Sequence, residues 1–250
     1  MIDALGNLLG PSAAVIVMSS VLILQCLMFA DGGLTALGAN IFNMAIVAPL
    51  VGYSAYRMIH RILGASEQSR FTAIAFASWI STVAASVTCA GQLAASGTAR
   101  WGVAFPAMTG VHMLIGIGEA VITTLVVAAI MKFSPGMISG LENAQTRTSF
   151  RSVVGYGLVV ALGLVIFIAP FASSWPDGLE KVAETLGFSS AESSTALVPS
   201  PLADYGIPGV SSPNVSTILA GVVGTLVAFL LSYVLVRLVT SRTGQAGKEA

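Results

Sequence analysis

Apolar positions along this chain fall in long unbroken runs, with neither the strict alternation of a half-exposed strand nor the narrow stripe of a surface helix. Crossing a bilayer takes roughly 20 helical residues. Six runs come near that length, around Ala13–Phe29, Ala39–Met58, Phe71–Ala95, Val111–Met131, Val153–Phe171 and Ser216–Val239. They are too long for barrel strands, and lipid leaves no backbone polar group a partner outside the protein, so each run predicts a helix. Between the first two lies FADGGLTALGAN (29–40), where an acid and three glycines predict a turn that lets two helices meet closely.

Composition strengthens this picture. The 250 residues are 55% hydrophobic and only 9% charged, with a mean hydropathy of +0.88. Soluble domains carry about 25% charged residues, so a core of this size would lack a polar coat in water. The expected fold is an all-α integral membrane protein with about six transmembrane helices. Basic residues orient it: Arg57, Arg61 and Arg70, then Lys132, Arg147 and Arg151, then Arg237, Arg242 and Lys248 occupy alternate connections. Only Arg100 and Lys181 lie on the opposite side. The positive-inside rule then makes both termini cytoplasmic and turns FADGGLTALGAN outward. Four spans fall within 1–140, and two spans within 141–250 flank a long outer segment, 172–214. That segment carries Asp177, Glu180, Glu184, Glu192 and Asp204. In it, Pro176-Asp177-Gly178 reads as a turn, GLEKVAETLG as a short helix, and the Ser- and Pro-rich remainder as a loop.

Candidate chemistry is sparse. Glu119 is the one carboxylate deep in a span, where charge is costly, so it is either functional or bonded to a neighbouring helix that Gly116 and Gly118 admit. His112 opens the same span on the outer side, where it could meet an incoming ion, and His60 sits beside Arg57 and Arg61. Neither histidine has a second ligand one helical turn away, and the methionines show no ligand-like spacing. Cys26 and Cys89 lie inside apolar runs and read as small buried hydrophobes. The Ala-, Ser- and Thr-rich third run predicts a close-packed central helix whose hydroxyls bond between helices. No HExxH, GxSxG or Walker A motif occurs, so no catalytic residue is assigned, and ATP hydrolysis would belong to another polypeptide. A zero formal net charge gives no nucleic-acid footprint.

Two motifs are more specific. FADGGLTALGANIFNMAIVAPLVGYSAYR (29–57) closely resembles the signature of the CbiM/NikM family, the substrate-specific membrane components of energy-coupling-factor cobalt and nickel transporters. IGIGEAVITTLV (115–126) resembles that family's pattern around an intramembrane Glu. SSWPDGLEKVAE (173–184) resembles the PDGLE segment of the CbiN/NikN-type accessory subunit, itself two spans around an extracytoplasmic loop.

The resemblance implies uptake of Co2+ or Ni2+ in a bacterial inner membrane, often for cobalamin synthesis. It also implies a coupling transmembrane subunit and cytoplasmic ATPase subunits as partners. No cofactor is implied. The family's metal site uses a Met-His start and a His from an H-P-x-G-T-G-like loop. Ile2 stands at the second position and no such loop occurs, so no metal ligand carries over to this sequence. The expectation is therefore a chain that starts well inside the family pattern, with an odd number of spans missing. It would be a shortened frame, one part of a split protein, or a protein that has lost the site. Asp31, Asn40 and Asn43 are expected to brace the metal loop, since polar groups beside an apolar bundle need partners; local turn and cap chemistry is the alternative. A second functional reading is a non-transporting protein that anchors a PDGLE loop to regulate another transporter.

Overall fold

The structure, a computed structural model, describes residues 11–64, 66–133, 150–171, 176–189 and 199–246. Among them every regular element is helical and none is a strand. In chain order they are α1 (Pro11–Phe29), α2 (Gly33–Asn40), a π-helical segment (Ile41–Val47), α3 (Ala48–Leu63), α4 (Glu67–Ala95), α5 (Trp101–Phe133), α6 (Phe150–Phe167), α7 (Gly178–Leu186) and α8 (Pro213–Ala246), with short 3-10 turns at Ala169–Phe171 and Ala203–Tyr205. The helices form two compact units. The first comprises Met1–Ile23, Thr35–Ser149 and Ser174–Ala196, the second Leu24–Leu34, Phe150–Ser173 and Leu197–Ala250.

Four helical stretches are long and apolar enough to cross a membrane: Gly33–Leu63, Glu67–Ala95, Trp101–Lys132 and Pro213–Leu231. Two shorter apolar helices, Ala14–Phe29 and Gly157–Phe171, coincide with the remaining two runs read from the sequence. On α5, Leu114 is 73% exposed and Leu125 63% exposed, side chains that suit hydrocarbon and not water.

The core of the first unit is built from small residues. Ala45, Ala48, Gly52 and Ala55 are buried along the π-segment and α3. Ala73, Ala77 and Ala90 are fully buried on α4. Such stripes let helix backbones approach closely, which stands in for the absent hydrophobic drive in lipid. The hydroxyls of α4 divide between two uses. Ser86 and Thr88 donate to carbonyls of their own helix, Val83 O and Ala84 O, and do not reach across as expected. Ser78 does reach across, donating to Thr123 Oγ1 at 3.2 Å.

Of the boundaries that differ from the sequence reading, two bear on the site. FADGGLTALGAN is not a turn throughout: α1 ends at Phe29, the bend occupies residues 30–32, and the helix resumes at Gly33. Helix α5 starts at Trp101, ten residues before the predicted Val111. Gly102, Pro106 and Gly110 weaken the helical signal there, but burial of Ala104 and Met108 against Ala90 and Val182 holds those turns. The π-segment has a local cause. Pro49 has no N–H to donate and its ring crowds the carbonyl four residues back, so the register widens and Ala48 N–H bonds Asn43 O instead.

Candidate functional site

In the first unit, the seam between α4 and α5 carries several polar contacts between long apolar helices. Trp79 Nε1 donates to Met113 O at 3.1 Å. The indole lies so close to Gly116 that an added Cβ would stand 3.0 Å from Trp79 Cδ1 and 3.3 Å from Trp79 O. Gly118 faces open space and plays no such part. Three residues beyond Gly116, Glu119 accepts a hydrogen bond from Thr82 Oγ1 at 3.1 Å. A glycine contact and a hydroxyl donor thus place the carboxylate at the edge of the seam. It remains on the exposed side of α5.

Asn43 lies in the π-segment, only 5% exposed. Its amide and that of Gln92 on α4 bond reciprocally: Asn43 Nδ2 donates to Gln92 Oε1 at 2.9 Å, and Gln92 Nε2 to Asn43 Oδ1 at 3.0 Å. Each satisfies the other in apolar surroundings, where a lone amide would be costly. Asn40 precedes the π-segment with helical φ −62° and ψ −44° and makes no side-chain cap.

His112 is not at the start of its helix but within it. Its Nδ1 lies 2.8 Å from Met108 O, and since a carbonyl only accepts, the proton sits on Nδ1. The other edge of the ring meets α7. A Cβ at Gly178 would fall 2.6 Å from His112 Cε1, 2.7 Å from Nε2 and 3.0 Å from Ile115 Cδ1. The α7 sequence makes this seat locally. Asp177 Oδ1 accepts from Glu180 N at 2.7 Å, while Asp177 N donates to Glu180 Oε2 at 3.0 Å, a complete capping box. The short helix expected over GLEKVAETLG is present as α7, and the Pro-Asp-Gly turn before it is its capped start. Val182 (2% exposed) and Leu186 then pack with Met108, Ala104 and Cys89.

In the second unit, Asp31 is held by two donors. Tyr205 Oη donates to Asp31 Oδ2 at 2.7 Å, and Gln25 Nε2 to the same oxygen at 3.3 Å. The Tyr205 ring stacks on Phe29 with centroids 4.5 Å apart and planes 18° apart. Burial pushes the Tyr205 phenol up to about 12; the hydrogen bond to Asp31 adds to this and the bond from Gln25 opposes it. Leu202 N–H donates to Met28 O at 2.9 Å.

The candidate residues are therefore spread over separate contacts, with Glu119, Asn43 and His112 each closing on a different partner within the first unit. Among the described residues no three His, Cys, Asp or Glu side chains stand together as a metal-holding group. Gln92, Thr82, Gln25 and Tyr205 were not singled out from sequence, and Gly178 was noted only as part of a turn. Gln92 carried a usable signal, an amide inside an apolar run. Tyr205, far from Asp31 in the chain, carried none.

Long apolar helices joined by paired amides and hydroxyls mark an integral membrane protein. Residues 1–137 match the family described as cobalt uptake substrate-specific transmembrane region, CbiM, and residues 151–241 match the PDGLE domain. The chain belongs to the CbiM family and carries a PDGLE domain in the same polypeptide. A protein of Archaeoglobus fulgidus bearing the name NikMN is 35% identical over 93% of this chain and 74% of its own. The fused nickel transport protein NikMN of Rhodobacter capsulatus is 30% identical over 81% of this chain and 62% of its own. The cobalt transport protein CbiM of Acetohalobium arabaticum is 33% identical over 54% of this chain and 55% of its own. The chain thus spans between about half and three quarters of the length of these relatives. A crystal structure of a transition metal transporter is 34% identical, covers 60% of this chain and 67% of its own, and has a TM-score of 0.48.

Proposed function

We propose that this chain is a membrane component of an ATP-driven energy-coupling-factor importer for cobalt or nickel ions, serving cobalamin synthesis in a bacterial cell membrane. The observation that carries this reading is the coexistence of the CbiM match and the PDGLE match in one chain, together with its similarity to a relative named a fused nickel transport protein. In this reading the six apolar helices all span, both termini are cytoplasmic, and the PDGLE segment of the 141–250 module faces outward. A coupling transmembrane subunit and cytoplasmic ATPase subunits complete the machine.

Glu119, Asp31, Asn40, Asn43 and His112 act here as bracing groups and not as metal ligands. Their partners Thr82, Tyr205, Gln92 and Gly178 support that role for four of them. Replacing Glu119 by Gln is expected to lower uptake or assembly, because a neutral amide adds two donors where the carboxylate only accepts. Normal uptake and assembly would remove Glu119 from the functional set.

The deciding experiment expresses this chain alone and together with coupling and ATPase subunits, and measures cobalt and nickel accumulation. Uptake above the empty-vector control only with the partners is the expected result. Accumulation at the control level, with the protein verified in the membrane, would contradict the transport reading and leave the accessory role of a PDGLE anchor.

A further inference from the structure

Among the described residues, three non-glycine positions adopt positive φ: Ala30 at 60°, Asp204 at 54° and Tyr205 at 55°. In this left-handed region a Cβ crowds the neighbouring carbonyl, so glycine is the usual occupant. All three residues belong to one contact. Ala30 follows the last residue of α1 and immediately precedes Asp31, and Tyr205 is the residue that bonds Asp31. Non-glycine residues stay in such conformations only where the surroundings over-determine them.

The surroundings here do so. Tyr205 donates to Asp31 and accepts from Gln25. Its ring stacks on Phe29, whose opposite constraint is α8: an added Cβ at Gly224 would collide with the Phe29 ring. The loop is tied at both sides of the strained pair, by Leu202 N–H to Met28 O at 2.9 Å and by Ile207 N–H to Ser216 Oγ at 2.6 Å.

We propose that this contact is a latch with Tyr205 as its bolt: the Asp31 bond and the Phe29 stack hold residues 202–207 and the bend at 30–32 closed against their own backbone preference, and the latch opens to a relaxed form. On the transport reading given above, opening and closing accompany each uptake cycle. The bolt is polar at one end and flat at the other, so the two halves of the contact separate in experiment. Tyr205→Phe keeps the stack and removes both hydrogen bonds. Asp204→Gly keeps the whole contact and removes strain, since glycine adopts positive φ without penalty.

The test is amide hydrogen exchange at Leu202 and Ile207 in the full chain in detergent micelles. Tyr205→Phe is expected to accelerate exchange about tenfold, the scale of one lost hydrogen bond to a charged group. Asp204→Gly is expected to slow it severalfold, opposite to the loosening that glycine brings to an unstrained loop. Acceleration in Asp204→Gly, or unchanged exchange in either variant, overturns the latch. In cells where the wild-type chain imports metal, Asp204→Gly is expected to slow uptake severalfold, and unchanged uptake overturns the coupling to transport. Absence of uptake by the wild type counts against the transport reading alone, and the exchange result still decides the latch.

Discussion

Helix α7 and the Tyr205 contact both hold segments of the C-terminal half in place, and they do so by opposite means. Helix α7 obeys local rules throughout. Asp177 and Glu180 form its capping box, and Gly187 ends it at φ 78° with its N–H bonded back to Ala183 and Glu184. Its demands on the rest of its unit are space at Gly178 for the His112 ring and an apolar seat for Val182 and Leu186 against Met108 and Ala104. The Tyr205 contact breaks local rules. Ala30 takes the left-handed position at the end of α1 that Gly187 takes at the end of α7, and Asp204 and Tyr205 follow suit. What a helix end costs is set by which residue occupies that position, so the first segment is held by its own sequence and the second by distant partners.

Three changes test that contrast. The largest effect is expected at Gly178. Valine there must displace His112, which is tied to Met108 O, and Ile115. Overpacking of this kind costs about 1–3 kcal/mol, despite a helix propensity better than that of glycine. Loss of protection across 178–186 with the α4–α5 seam unaffected is the expected pattern in hydrogen exchange; a helix as stable as wild type would show that the seat is loose.

A smaller effect belongs to the capping box. Asp177→Ala removes the side-chain acceptor for Glu180 N, and losing such a cap costs about 1 kcal/mol. Thermal unfolding of the chain in micelles, compared with an exposed control substitution such as Thr185→Ala, measures it. An unchanged midpoint would mean that packing of Val182 alone holds α7.

The smallest effect under ordinary conditions lies in the titration of Tyr205. Its phenol is raised from 10.0 to about 12, so the folded contact favours the neutral form. The contribution to stability is fully present below pH 10 and is lost as pH rises through about 12. Phenolate absorbance of the wild type against Tyr205→Phe isolates this group. A difference band emerging only well above pH 10 is expected, whereas one centred at the ordinary tyrosine value would mean that the contact is open.

The same contrast explains what could be read from the sequence. The apolar runs located the helices because length and composition alone decide what lipid accepts. GLEKVAETLG was legible as a short helix, while Pro176-Asp177-Gly178 read only as a turn and its capping box emerged with the fold. The start of α5 was hidden because Gly102, Pro106 and Gly110 argue against helix, while Ala90 and Val182, remote in sequence, argue for it. Asn43 was marked as needing a partner, but only the fold names Gln92. Asp31 looked like turn chemistry, and indeed Gly32 and Gly33 follow it at φ 73° and 67°. Its Tyr205 partner lies 174 positions away, beyond any local rule.

Metal accumulation joins the functional reading to the structural one most directly. Cells carrying coupling and ATPase subunits would receive the wild-type chain, Gly178→Val or empty vector, with membrane levels of the two proteins matched. The account predicts cobalt or nickel uptake above the vector level with the wild type and a fall toward that level with Gly178→Val. Equal uptake by the two proteins would contradict a working role for the PDGLE seat, and uptake by neither above vector would contradict the importer itself.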